Sequence, residues 1–124
     1  LIDTNILIYY FDGHIPSAIV EEIDNIFSES FHISIITKIE FLGWQNYDSV
    51  QYDRAVLFSD GAQVFPLNET IADIAIKLKR QKRIKLPDAV IAATCLENDF
   101  VLLTRNQADF KGIEGLEVYN PFET

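Results

Sequence analysis

Four carboxylates stand where an open α/β sheet could bring them together: Asp3 closes a short apolar run, Glu40 lies one turn into a helix, Asp88 opens another helix, and Asp109 follows a later apolar run. Carboxylates held close repel one another unless a cation neutralises them, and an oxygen-only set suits a hard ion such as Mg²⁺ or Mn²⁺. A cation held by few carboxylates keeps water that it can acidify, and it compensates charge on a phosphate group in flight. Hydrolysis of a phosphodiester is the natural use of such a set. Each acid alone also has a plainer role. Asp3 in Asp3-Thr4-Asn5 fits a helix N-cap, Asp88 after Pro87 fits a cap or a complement to a helix dipole, Glu40 fits a solvent-facing position, and Asp109 fits a turn. The acids carry weight as a set.

Other chemistries lack their residues. His14 and His32 have no Cys, His or acid at zinc-ligand spacing, so both are expected at the surface or at a strand edge. The chain has no Gly-x-Ser-x-Gly, no P-loop and no Gly-x-Gly-x-x-Gly. Gly112-Ile113-Glu114-Gly115 has the spacing of a KH-type loop, but its acidic interior makes it a plain turn. A phosphatase of the haloacid-dehalogenase kind needs a second acid two residues after the first, where Asn5 stands. A receiver domain needs its acid after the third strand, where the chain has Pro66-Leu67.

The elements that must position the acids alternate along the chain. Strands are predicted over 1–3, 32–36, 62–66, 100–104 and 116–119. Helices are predicted over 5–11, from Pro16, from Thr37, over 49–60, over 69–83 and from Pro87-Asp88, the last one apolar nearly all round from Ala89 to Leu96. Strands separated by helices require crossover connections. The fold class is therefore α/β, one domain over residues 1–124 with a mainly parallel five-stranded sheet and helices on both faces. Ligands in such sheets bind beyond the carboxyl ends of the strands, where these acids fall.

The chain has 124 residues, 48% of them hydrophobic, which supports one buried core. No apolar stretch is long enough to cross a bilayer and no signal segment opens the chain, so a cytoplasmic protein is expected. The single Cys95 sits in an apolar helical run, as a small buried thiol does. The lone Trp44, in a polar loop, is expected as a partly buried anchor, with a partner contact as the alternative. The chain has no Met and Leu1 opens a strand, so a few native residues are expected to precede it.

Four segments in order carry a family resemblance: Leu1-Ile2-Asp3-Thr4-Asn5, Thr37-x-x-Glu40, Leu86-Pro87-Asp88-Ala89-x-Ile91-Ala92-Ala93, and Leu103-Thr104-Arg105-Asn106-x-x-Asp109-Phe110. The chain resembles a PIN domain, and more narrowly the VapC-type ribonuclease toxins of toxin–antitoxin pairs. The resemblance implies that Asp3, Glu40, Asp88 and Asp109 are the quartet that holds Mg²⁺ or Mn²⁺. It adds the Thr104 hydroxyl to the site and has Asn5 support Asp3. Asn106 stands where some relatives place an acid, so either Asn106 or Asp109 faces the metal more directly. The resemblance further implies cleavage of single-stranded or loop RNA by metal-activated water, a homodimer, and a cognate antitoxin that covers the acidic crevice. A PIN-like module without catalysis would share the fold, and the four acids argue against it.

The 19 acidic and 10 basic residues give a net charge of −9, which on its face argues against nucleic acid. Their distribution argues otherwise. Lys77, Lys79, Arg80, Lys82, Arg83 and Lys85 form a basic run with no acid among them, leading straight into Leu86-Pro87-Asp88. Such a run is most often a solvated helix face, but as a phosphate track it would deliver RNA to the metal, with Arg105 as a second contact.

Overall fold

The computed structural model describes residues 1–123. The chain runs α1 (Thr4–Phe11), α2 (Val20–Glu29), β1 (His32–Ser34), α3 (Ile35–Leu42), α4 (Ser49–Ser59), β2 (Gln63–Phe65), α5 (Glu69–Gln81), α6 (Leu86–Asn98), β3 (Leu102–Leu103), a 3₁₀ turn (Gln107–Phe110) and β4 (Val118–Tyr119). β1 pairs with β2 and β3 with β4, both in parallel, with Ile33 opposite Val64 and Leu102 opposite Val118.

This is an α/β arrangement, but the five-stranded sheet expected from the sequence is not what forms. Two two-stranded sheets are present, and Leu1–Asp3 runs between them. Ile2 makes one parallel bridge to Leu103, and its N–H donates to the His32 carbonyl at 2.8 Å. Helix caps cut the strands short. The Ser34 hydroxyl accepts from the Ile36 N–H at 3.1 Å and starts α3 at Ile35, so β1 ends two residues before the alternation of side chains does. Asp3 caps α1 in the same way, leaving the first extended segment as a single bridge. Helix boundaries also move. Residues after Pro16 form a turn, and α2 begins only at Val20. α5 stops at Gln81 because Lys82 is fully extended.

Alternation along the extended segments divides the core between the two faces. Leu1 and Leu102 pack with α5 and α6, whereas Ile2 and Leu103 pack with α1, α2 and α3. Residues Ala89 to Cys95 of α6 are buried without a break, as a helix packed centrally must be. Burial there pushes the Cys95 thiol up to about 12. The other face is aromatic: Tyr10 stacks on Phe27 at 3.9 Å and Phe11 meets Phe41 edge-on at 5.1 Å. Among the described residues no helix is long and apolar enough to cross a membrane. Because the pairings are parallel, Asp3, the start of α3 and Thr104 all emerge at one rim.

Candidate active site

Asp3 is the fixed point of that rim. It is 5% exposed, and its two oxygens take three bonds: Oδ1 accepts from the Thr4 N–H at 2.8 Å, and Oδ2 accepts from the Thr104 hydroxyl at 2.7 Å and from Asn5 Nδ2 at 3.3 Å. The N-cap role and a place in the acidic crevice thus coexist in one side chain. Thr104, fully buried just after β3, also accepts from Asn5 Nδ2 at 3.3 Å and from the Asn106 N–H at 3.0 Å. Asn5 Oδ1 accepts from the Arg105 N–H at 3.2 Å. These bonds tie the end of the first extended segment to the end of β3.

Glu40 is exposed on α3, and its Oε1 accepts from the Thr4 hydroxyl at 2.7 Å. Thr4 Oγ1 also lies 3.0 Å from the buried hydroxyl of Thr37, one turn before Glu40 on the same helical face. The sequence reading did not single out Thr4 or Thr37 for a role of their own. The signal was there in the Thr37-x-x-Glu40 spacing and in a hydroxyl directly after Asp3.

Asp88 lies in the first turn of α6, half-buried, and does not cap it. The helix begins at Leu86 after Lys85, so the expected opening at Pro87-Asp88 shifts by one residue. Burial first, then repulsion from Asp3, Asp109 and Glu40, raises the Asp88 carboxyl to about 6, and Lys85 offsets this least. Asp3 is raised as well. Burial is the main cause, opposed by the Thr104 and Thr4 bonds, with repulsion from Glu40 and Asp109 added. Asp109 projects from the exposed 3₁₀ turn. Four acids from four separate elements therefore share one electrostatic environment. Asp109 is felt by both Asp3 and Asp88, whereas the bond made by Asn106 comes from its backbone.

The donor set suits a hard divalent cation: carboxylates with no partner strong enough to hold Asp88 at its ordinary value, and a hydroxyl aiming one oxygen of Asp3. Among the described residues no three Asp, Glu, His or Cys side chains close tightly enough to cage a metal by themselves.

The basic run divides in two. Lys77, Arg80, Arg83 and Lys85 are exposed. Lys79 donates to the Ile84 carbonyl at 2.7 Å and Lys82 to the Lys111 carbonyl, so both help fasten the α5–α6 connection. Lys79, Lys82, Arg83 and Lys85 line one open concavity. The Arg105 guanidinium sits 5.2 Å from the Tyr9 ring centre and 4.9 Å from that of Phe122, held by cation–π contacts.

Trp44 corrects another expectation. It is 54% exposed, in the loop after α3, and meets Tyr47 edge-on at 5.0 Å. His14 is exposed, and His32 lies in β1 against Phe65 and Phe100. Gly112 and Gly115 have φ of +79° and +83°, the conformation of turn residues.

The family model of the PIN domain matches residues 1–116. Among solved structures, a chain in a toxin–antitoxin complex from Klebsiella pneumoniae superposes with a TM-score of 0.79 at 31% identity, covering 99% of this chain and 98% of that one. A chain of VapBC-1 from nontypeable Haemophilus influenzae gives 0.80 at 26% identity, covering 98% and 97%. FitAcB from Neisseria gonorrhoeae shares the fold at 0.80 and 21% identity, covering 99% and 98%. No curated protein matches the chain. The matched residues run from the extended segment that ends in Asp3 to beyond the turn that carries Asp109, and the chain belongs to the PIN domain family.

Proposed function

We propose that this chain is a Mg²⁺- or Mn²⁺-dependent endoribonuclease, the toxin of a VapBC-like type II toxin–antitoxin pair acting in the cytoplasm. The observation that carries the reading is the rim at which buried Asp3 is held by Thr4, Asn5 and Thr104 and Glu40 is tethered through Thr4, with burial first and the neighbouring acids second raising Asp3 and Asp88. Those four acids would hold the cation. When bound, it supplies a polarised water and compensates charge on the phosphate.

The chain does the positioning. Three donors lock Asp3, and Thr104 keeps Oδ2 at one orientation. Thr4 tethers Glu40 across two helices. Burial and the neighbouring acids raise Asp88 to about 6, so a bound cation would favour its ionised form. The exposed Lys77, Arg80, Arg83 and Lys85, with Arg105, bind RNA phosphates. The toxin–antitoxin complex that contains a similar chain supports a cognate antitoxin, and the family resemblance supports a homodimer and an antitoxin segment over the crevice, whose acidic surplus suits a basic one.

The test is incubation of the purified protein with total RNA and Mg²⁺ or Mn²⁺, alongside Asp3→Asn and Asp88→Asn variants and a chelator control. Metal-dependent cleavage lost in both variants is expected. Equal cleavage by all three proteins would attribute the activity to a contaminant, and labelling of an Asp by acetyl phosphate would favour a receiver domain. Expression is expected to slow growth, with relief from a co-expressed neighbouring antitoxin gene. Unaffected growth would sink the toxin half of the proposal alone.

A further inference from the structure

Beside the acidic crevice the structure holds a second concavity, of about 240 Å³, lined by Ile8, Asp12, Glu40, Phe41, Trp44 and Tyr47. It is built rather than incidental. Gly43 ends α3, and a Cβ there would sit 2.6 Å from the Ile39 carbonyl oxygen, so a side chain would force the helix end to shift. Trp44 follows at once and lines the pocket with Phe41 and Tyr47. A capping box pins the far side of the loop, with the Gln51 N–H donating to Asp48 at 2.7 Å and the Asp48 N–H donating to Gln51 at 3.0 Å. Tyr47 braces Trp44 edge-on and meets Phe41 edge-on at 6.3 Å. The Trp44 ring is nevertheless more than half in solvent.

We infer that this pocket is a nucleobase subsite, in which one unstacked base of the RNA being cut lies against Trp44 with its edge toward Asp12 and Glu40. The inference rests on the ribonuclease reading and deepens it. A cavity near 150 Å³ takes one benzene ring, so 240 Å³ admits a bicyclic base. Every base offers a π-face to an aromatic side chain, and unpaired RNA bases are commonly read in this way. Glu40 belongs to both the pocket and the acidic crevice, so a nucleotide seated here carries its own phosphate to the cation site. A base seated here would lie against Trp44 and turn its edge to the carboxylates, and an antitoxin segment covering the crevice would compete with it. The rim carboxylates only accept hydrogen bonds. They favour the amino edges of adenine, cytosine and guanine, and they disfavour uracil, which flanks one N–H with two carbonyl oxygens.

Trp44 is the only Trp in the chain, so its fluorescence reports on this pocket alone. The wild-type protein is mixed in Mg²⁺ with hexa-adenylate, hexacytidylate, hexauridylate or a base-free strand with the same number of phosphates, and read within seconds. Quenching is expected from adenylate and cytidylate, with weaker binding of uridylate and no quench from the base-free strand. Asp12→Asn is expected to bring adenylate and uridylate closer together. Trp44→Ala, followed by anisotropy of end-labelled strands, is expected to weaken adenylate binding roughly five- to hundredfold. Equal quenching by the base-free strand, or no quenching by any strand, overturns the subsite. So does quenching by the tripeptide Arg-Phe-Arg but by none of the strands, which assigns the pocket to a protein partner. The quench needs no bond cleavage. A base-dependent quench without cleavage therefore sinks the nuclease and leaves the subsite, and cleavage without the quench does the reverse.

Discussion

Replacing Asp88 by Asn should stabilise the metal-free protein while abolishing its activity. The rise of the Asp88 carboxyl from 3.8 to about 6 corresponds to an ionisation penalty of about 3 kcal/mol. The side chain is only half-buried, and solvent screening reduces that to about 1–2 kcal/mol. Asn removes the charge and the repulsion from Asp3, Asp109 and Glu40 together. It also forfeits an acid in the first turn of α6, worth about 0.3–1 kcal/mol. The net gain is about 1 kcal/mol, or roughly 3–5 °C in Tm for a chain of this size.

The sign of the pH dependence follows from the direction of the shift. The folded state holds the Asp88 proton more tightly than the unfolded chain does, so wild-type stability falls as pH rises from 3.8 through about 6. Above that window the penalty is complete, and below it both states carry a neutral side chain. In thermal melts with a chelator, the variant should lead the wild type at about pH 8 and the lead should vanish near pH 4. The other acids titrate in both proteins and largely cancel in the difference. Adding Mg²⁺ should reverse the order, because only the wild type gains by mass action. A variant that melts at or below the wild-type temperature at about pH 8, or a gap that ignores pH, would refute the claim that unrelieved charge repulsion shapes this crevice.

Thr104→Val removes the hydroxyl from Asp3 Oδ2 and leaves the Asn106 N–H unpaired, which should cost about 2–3 kcal/mol in denaturant titration. The acid limb of the cleavage profile should move to higher pH, because the bond that lowers Asp3 is gone, and Thr104→Ser should restore most of both properties. Thr4→Val frees Glu40 and leaves the buried Thr37 hydroxyl unpaired, so it should reduce cleavage and cost about 1–3 kcal/mol in denaturant titration, with Thr4→Ser restoring most of both. Reversing Arg80 and Arg83 to Glu should weaken RNA binding and flatten its salt dependence, measured by anisotropy at several salt concentrations. Lys79→Ala and Lys82→Ala should instead lower Tm, since each removes a donor from a backbone carbonyl.

What the sequence disclosed follows from the range of the interactions involved. Periodicity is local, so the order of helices and extended segments was legible, as was the unbroken burial of Ala89 to Cys95. Strand lengths were not, because Ser34 and Asp3 divert the chain into helices where the alternation alone would continue a strand. Asp3 and Asp109 follow extended segments, where the α/β class directs attention, whereas Glu40 and Asp88 sit on helices and stand out only through the segments that resemble the family. The holders of these acids could not be found, because Thr4 reaches Glu40 across 36 positions and Thr104 reaches Asp3 across 101.

That difference in support has a chemical consequence. Asp3 takes three bonds, Glu40 takes one from Thr4, and Asp88 is raised by burial and by its acidic neighbours with no hydrogen bond among the causes. The crevice thus pairs a rigid anchor with a carboxylate free to titrate and adjust. A divalent cation, if bound, would be held by Asp3 in a fixed orientation and would relieve the charge that burial and the neighbouring acids place on Asp88. The basic run supports the same division. Lys79 and Lys82 fasten the connection that delivers Asp88, while Arg83 and Lys85 face solvent beside it, so one short stretch both positions the titrating acid and presents positive charge at the surface.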